Sequence, residues 1–318
     1  MAKRKRRRLK KSVKIVGLGL IVIIIISIFA VNKYKEYLYH QTNEYKLLQV
    51  GYEINDVNII LDTFDDEYVK TLLDSDKNEM LVNLLHQKYF IKNNLDRYFE
   101  FIKKNKNMAL DMVVARVNTN TDHKYYEHTK ATDMSKGNLI LVNKYNYLDK
   151  EYKPDLVNAS SQYAYEGNKC SEEVLSAFEN MADAARGEDI IIVINSSYRS
   201  YDDQESIWSS RKKANGTAKA DAYAARAGFS EHQSGLAIDL AQYKYNYEDF
   251  EETPAFTWLS NHAQEYGFIL RYPKDKEELT GYSYESWHYR YVGVDNAKKI
   301  KDSGLSFDEY YAYYIENK

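Results

Sequence analysis

Two stretches of this chain hold side chains able to hold a metal and move a proton. The first is Ser230-Glu231-His232-Gln233-Ser234-Gly235-Leu236-Ala237-Ile238-Asp239. Read as a strand from Gly235 onward, it puts Gly235, Ala237 and Asp239 on one face and Leu236, Ile238 and Leu240 on the other. The second face is apolar and belongs in a core. The first lacks bulk except for one carboxylate, which leaves room for an ion and a substrate. His232 lies an odd number of residues before Asp239, so both meet one metal only if the chain turns near Ser234-Gly235, and glycine permits that. The second stretch, Glu285-Ser286-Trp287-His288-Tyr289-Arg290-Tyr291, adds an imidazole and a spare carboxylate. Three nitrogen and oxygen ligands with a fourth position for water form a catalytic zinc pattern, and a carboxylate outside the ligand set is the usual proton shuttle. The assignment is His232, Asp239 and His288 as metal ligands with Glu285 as general base. Taken singly, each histidine reads more readily as a satisfied core residue, and Asp239 as a cap or ion-pair partner.

A third chemical feature stands at the end of the run Ile190 to Ile194, which is apolar and β-branched and is expected to form a buried strand. It delivers Tyr198-Arg199-Ser200, after which Ser200-Tyr201-Asp202-Asp203 has the form of a capping box, so a helix starts there with Gln204 in its first turn. Arg199 at this junction could face a developing oxyanion. It could equally be a surface arginine paired with Asp202 or Asp203. Other segments complete the frame: a strand over 138–145 leaving a glycine turn, a helix over 171–185, helical chain after Pro254, strands at 267–273 and 285–291, then a closing amphipathic helix and a Tyr-rich tail.

At 318 residues there is room for one or two domains. The net charge of −3 conceals an asymmetry, because residues 1–14 hold nine Lys or Arg and no acid, which leaves −12 on the remainder. Ile15 to Val31 is an uncharged apolar run of 17 residues between Lys14 and Lys33. That is the short end of a membrane-spanning helix, and the flanking lysines can snorkel to extend it. The basic head before it predicts a cytoplasmic amino end and an extracytoplasmic body. The expected organisation is therefore a basic tail (1–14), a single-pass anchor in the cell membrane (15–32), a helical spacer (33–112) and a catalytic domain (113–318). No small-x-small cleavage site follows the run, which favours an uncleaved anchor over a signal peptide, and no cysteine follows it to carry a lipid. Cys170 is the lone cysteine, so no intramolecular disulfide exists, and its neighbours give no sign of an activated thiolate. No nucleic-acid partner is expected. The spacer shows amphipathic helical spacing at Leu95, Tyr98, Phe99 and Ile102 and at Met80, Leu81, Leu84 and Leu85, with no residue grouping for chemistry.

Several segments together resemble the zinc D-alanyl-D-alanine carboxypeptidases of the VanY-like type: Asn143-Lys144-Tyr145-Asn146-Tyr147-Leu148, Ser197-Tyr198-Arg199-Ser200 with Gln204, Ser230-x-His232-x-x-Gly235-x-Ala237-x-Asp239, Tyr266-Gly267-Phe268-Ile269-Leu270-Arg271-Tyr272, and Glu285-x-Trp287-His288-Tyr289-Arg290. The resemblance runs from about residue 110 to the end. It implies an α+β fold, a small antiparallel sheet flanked by helices with the metal at its open face, and cleavage of the terminal D-alanine from peptidoglycan stem peptides. It carries the zinc ligands to His232, Asp239 and His288, the base to Glu285 and the transition-state cation to Arg199. Tyr198, Gln204 and Ser230 are candidates to grip the substrate's free carboxylate from their places in the motifs. The chain departs from the family pattern at Ala227 and Ser286, where proline is usual; both are loop-shaping positions rather than ligands. Alternatives on the same scaffold are an L,D-carboxypeptidase, a D,D-dipeptidase, or a zinc-bearing wall-binding module without activity, against which an intact Glu285 and Arg199 argue.

Overall fold

A computed structural model describes residues 2–245 and 247–316. The chain divides into two compact units between residues 92 and 93. The first opens with helix α1 (Ala2–Gln41). Its stretch Val13–Gln41 is long and apolar enough to cross a membrane, and its apolar window is not buried in the protein. Four short helices follow: α2 (Asn43–Val50), α3 (Ile54–Thr63), α4 (Asp66–Leu73) and α5 (Glu79–Leu85). Thr42 caps α2 by accepting from the Tyr45 N–H, and Gly51 ends it with a φ of 108° that a side chain would resist. Leu47, Val57, Ile60, Leu72, Leu81 and Leu84 are buried here, and they hold the short helices together through one apolar face each.

The second unit begins with α6 (Leu95–Lys104) and α7 (Leu110–Asn118). The boundary expected at 112/113 between spacer and catalytic domain falls inside α7, and both helices belong to the unit that starts at residue 93. Helix α6 buries Leu95, Tyr98 and Phe101, while the expected Phe99 and Ile102 are half-buried. The unit continues through α8 (Glu172–Arg186), α9 (Tyr201–Asn215), α10 (Thr217–Tyr223), α11 (Pro254–His262), α12 (Glu277–Thr280), α13 (Val294–Ser303) and α14 (Phe307–Tyr314). The capping box expected at Ser200 is present, with Asp203 closing it. The Tyr-rich tail is a helix, α14, started by a second capping box between Ser306 and Glu309, and Tyr310 and Tyr311 are buried rather than exposed.

One four-stranded antiparallel sheet organises this unit: β1 (Ile192–Ser196), β2 (Ala237–Gln242), β3 (Phe268–Tyr272) and β4 (Glu285–Tyr291), in the order β1-β2-β4-β3. Ile192, Ile194, Ile238, Leu240, Phe268 and Tyr289 form a core with Val174, Phe178 and Met181 of α8 and Trp258 and Leu259 of α11. The fold is α+β, as the spacing and the resemblance imply.

The strand expected over 138–145 does not form. Asn143 Oδ1 accepts from the N–H groups of Tyr145 and Asn146, at 2.9 and 3.0 Å. Backbone donors that would join a ladder are consumed by the side chain, and the segment becomes a turn. Only Asn146-Tyr147 pairs, in parallel, with Lys130-Ala131.

Candidate metal centre and cleft

The register of the sheet builds the site. Asp239 of β2 stands directly opposite His288 of β4, so their side chains share one face. His232 arrives from a single 3-10 turn, Glu231–Ser234, that ends at Gly235 in the left-handed conformation with φ 74°. Space at Gly235 is also short, since a Cβ there would lie 3.1 Å from Leu156 and 3.2 Å from Pro154. The turn anticipated at Ser234-Gly235 is therefore present, and it changes the side-chain parity so that His232 meets Asp239. The three residues are buried, and one donor atom from each lies within 4.8 Å of the others.

Hydrogen bonds set which nitrogen each histidine offers. His232 Nδ1–H donates to the Ser197 carbonyl at 2.6 Å. Its Nε2 is buried and has no hydrogen-bond partner, although Asp239 Oδ1 lies 3.3 Å away. On His288 the Nε2–H points to Glu231 Oε2 at 3.4 Å, which turns Nδ1 toward Asp239 Oδ1 at 3.0 Å. Two imidazole lone pairs and a carboxylate oxygen thus converge, each imidazole fixed by a bond on its far nitrogen, which is how metal-bound histidines are held. An orphaned buried nitrogen beside a carboxylate is what a cation would satisfy. The N,N,O donor set fits zinc.

Electrostatics prepares the pieces unequally. Burial, then the nearby Arg199, pulls His232 down to about 4, so it is neutral and ready to ligate. Burial would also lower His288, but its bonds to Asp239 and Glu231 outweigh this and raise it to about 9. Asp239 is opposed by burial yet held well below the usual carboxylate range by His232 and His288. A zinc ion must therefore displace a proton from His288. At pH 8, where that proton is still bound, uptake is expected to release the His288 proton in addition to the one from an ionising metal-bound water, so more than one proton in all, and affinity should rise with pH until His288 deprotonates on its own. Calorimetry of zinc binding in buffers of different ionisation enthalpy reads the protons; release of no more than one at pH 8 would contradict the assignment.

Glu285 lies 3.7 Å from His288 Nδ1 and lines the same cleft. Its position depends on an irregularity: Leu270 pairs with Tyr289 and Tyr272 with Glu285, so β4 spends four steps where β3 takes two. This irregularity interrupts the regular strand between Glu285 and His288, and both line the cleft. Ser286 is the buried residue of this bend, and Trp287 is half-buried against the core. Burial, relieved in part by His288, raises Glu285 to about 7.

Arg199 also lines the cleft, its backbone N–H on the His232 carbonyl at 3.3 Å and its Nε buried without a partner. Gln204 and Ser230 line it too, Gln204 anchored by Nε2 to the Ala225 carbonyl at 2.7 Å with Oε1 left unpartnered. Tyr198 does not: its ring lies 5.3 Å from Lys169 Nζ and is absent from the cleft wall. The sequence reading passed over Glu231, Tyr272, Tyr282 and Arg211, all of which line the cleft. Glu231 sat in plain view between two singled-out residues, but its partners Arg271 and Arg290 are distant in sequence. Cys170 is buried, and burial pushes its thiol up to about 12.

The family model for VanY, D-alanyl-D-alanine carboxypeptidase, matches residues 167–294. The bifunctional D-Ala-D-Ala dipeptidase and D-Ala-D-Ala carboxypeptidase VanXYC of Enterococcus gallinarum is 36% identical over 183 residues, 55% of this chain and 94% of that protein. The chain belongs to the VanY family. Within it, the YodJ protein of Bacillus subtilis is 40% identical over 181 residues, 54% of this chain and 66% of YodJ, so the match spans just under two thirds of that relative. Among solved structures, the LdcB LD-carboxypeptidase is 37% identical with a TM-score of 0.55, covering 60% of this chain and 92% of LdcB.

Proposed function

We propose that this VanY-family member is a membrane-anchored zinc hydrolase that removes the C-terminal D-alanine from peptidoglycan stem peptides. The observation that carries the reading is the cleft itself: a carboxyl raised toward neutrality beside a buried His-Asp-His set, with a guanidinium on the same wall. Ligands are His232 Nε2, Asp239 and His288 Nδ1. A zinc ion held there would make a water acidic enough to attack at neutral pH and would polarise the scissile carbonyl. Glu285 takes the attacking water's proton on its carboxylate and passes it to the leaving amine as the peptide C–N bond breaks. Arg199 faces the oxygen on which negative charge develops. Ser230 and Gln204, on the cleft wall, are the candidates to meet the substrate's free carboxylate; Tyr198, beside Lys169, does not line that wall.

A second specificity has a specific observation behind it, the LdcB likeness, since that protein is an LD-carboxypeptidase. Mass spectrometry of a pentapeptide ending in D-Ala-D-Ala and of a tetrapeptide ending in L-centre-D-Ala, each incubated with the zinc-loaded protein, separates the two. Loss of one alanine from the pentapeptide alone gives the D,D activity, loss from the tetrapeptide gives the L,D activity, and no cleavage of either defeats the carboxypeptidase reading.

The anchor is Val13–Gln41 of α1, with the Lys/Arg-rich head in the cytoplasm. A reporter fused at the carboxyl end is expected to be accessible outside intact cells and one at the amino end not. Recovery of a freely secreted chain beginning near Asn32 would replace the anchor with a cleaved signal peptide.

A further inference from the structure

The motif around Lys144 has no part in the chemistry above, yet Lys144 is 1% exposed and among the largest fully buried side chains. An ammonium so buried is costly without a carboxylate. Here the Asp221 carboxylate is engaged elsewhere, because it holds Arg226 at 2.8 and 3.0 Å and the Trp208 indole at 2.9 Å. Lys144 Nζ instead donates to the Asp221 backbone carbonyl at 2.6 Å. Its other neighbours are rings, with centroids at 4.1 Å (Tyr125), 4.4 Å (Tyr282) and 5.8 Å (Tyr126).

Those contacts gather the outer wall of the cleft. Asp221 belongs to α10, whose end runs into Tyr223, Ala224 and Ala225, all cleft-lining. Tyr282 lines the cleft from the segment before β4, and Ser283 N–H donates to the Ala222 carbonyl at 3.1 Å, joining the two segments. Tyr282 packs on Tyr272 and Tyr272 on His288, both with centroids 4.9 Å apart. The packing around the ammonium is tight: Gly281 has φ 76°, and a Cβ there would lie 2.9 Å from Tyr125 and 3.1 Å from Lys144 Cδ. Tyr126 holds a left-handed backbone, φ 65°, while its N–H donates to the Lys144 carbonyl at 3.2 Å. A non-glycine residue persists there only when its surroundings over-determine it.

We propose that Lys144 is a positioning residue that clasps the Asp221 carbonyl and the Tyr282 ring together, fixing the wall against which the substrate lies. The proposal rests on the hydrolase reading of the cleft and adds to it that a lysine outside the cleft sets substrate binding. Lys144 touches neither the metal-binding residues nor Glu285, so its loss should act on KM rather than on the chemical step.

The test uses the full chain in detergent, zinc-loaded, with the stem peptide it cleaves. Lys144→Met should retain stoichiometric zinc and raise KM roughly tenfold with kcat within about threefold, because the cation–π and carbonyl contacts hold the wall and not the base. Tyr282→Leu should do the same, and the double variant should be no more than about twofold worse than the poorer single one, since both act through one contact. Unchanged KM in Lys144→Met, a loss confined to kcat, or additive effects in the double variant would each overturn the proposal. Should Lys144→Met fail to fold, Tyr125→Leu removes one ring from the same ammonium at the exposed side, and there a KM raised about two- to threefold supports the clasp and an unchanged one defeats it. A wild-type protein that cleaves no stem peptide would defeat the hydrolase reading instead, whatever the variants do.

Discussion

Glu285→Gln is expected to keep its zinc and its peptide affinity and to lose turnover by about 10²–10⁴-fold, the usual worth of a positioned general base. The substitution preserves shape at a carboxyl that is 14% exposed and 3.7 Å from His288 Nδ1, while removing the proton acceptor. Metal-free, burial holds Glu285 near neutrality, at about 7. A dication on the neighbouring donors lowers that value, because an adjacent positive charge favours the carboxylate. The base is then ionised at neutral pH, and kcat/KM should fall on the acid side as it protonates, with a midpoint below the metal-free value. His232→Ala and His288→Ala give the contrast: they should lose stoichiometric metal along with activity, since three protein ligands are the minimum for such a site. Metal analysis and turnover, measured side by side, decide the division of labour. Should Glu285→Gln lose zinc as His288→Ala does, Glu285 is a ligand and the base lies elsewhere; a near-normal rate would end the mechanism.

What could be read from the sequence was what local chemistry dictates. The alternation after Gly235, the β-branched run before Asn195 and the capping box at Ser200 each express a preference of a few adjacent residues, and each has its counterpart in the fold. The gathering of His232, Asp239 and His288 was legible because few residue types can make an N,N,O donor set and both stretches carried them. The misses turn on which partners a side chain finds. Residues 138–145 have a strand's composition, but Asn143 ties them into a turn and reaches Asp308, at 2.8 Å, in the last helix. The burial of the α14 tyrosines was not legible because the surface they cover, around Leu141, Ile269 and Val292, is assembled from distant segments. Tyr198 stands one residue from Arg199 yet lies by Lys169 and does not line the cleft, which adjacency does not reveal. Glu231, in a motif full of polar residues, gave no sign that it is completely buried.

That burial makes Glu231 the most consequential residue outside the ligands and Glu285. Its Oε1 accepts from Arg271 Nε at 2.7 Å and Arg290 Nη1 at 2.8 Å, and its Oε2 faces His288 Nε2 at 3.4 Å. Arg271 is shared with Asp308 at 2.6 Å, and Arg290 is braced by the carbonyls of Asn138 and Ile140 at 2.9 and 2.8 Å. Burial would push the Glu231 carboxyl up, but Arg271 and Arg290 hold it well below the usual range. Its contribution is therefore present above the ordinary carboxylate pKa and is lost only as pH falls through its depressed folded value, so this centre survives mild acid. Glu231→Gln keeps the volume and removes the charge, leaving two buried guanidiniums to one carboxylate. Breaking a buried ion pair from one side costs about 3–5 kcal/mol, which for a unit of this size lowers Tm on the order of 10 °C. The effect should not stop at stability. With Nε2 of His288 no longer held by an anion, the imidazole loses the bond that turns Nδ1 to the metal, and zinc affinity should weaken about 10- to 100-fold. Thermal unfolding with and without zinc, together with a zinc titration at pH 8, reads both effects. A variant with wild-type Tm would show that the arginines are satisfied without Glu231, and wild-type affinity in a destabilised variant would confine its role to the ion-pair network.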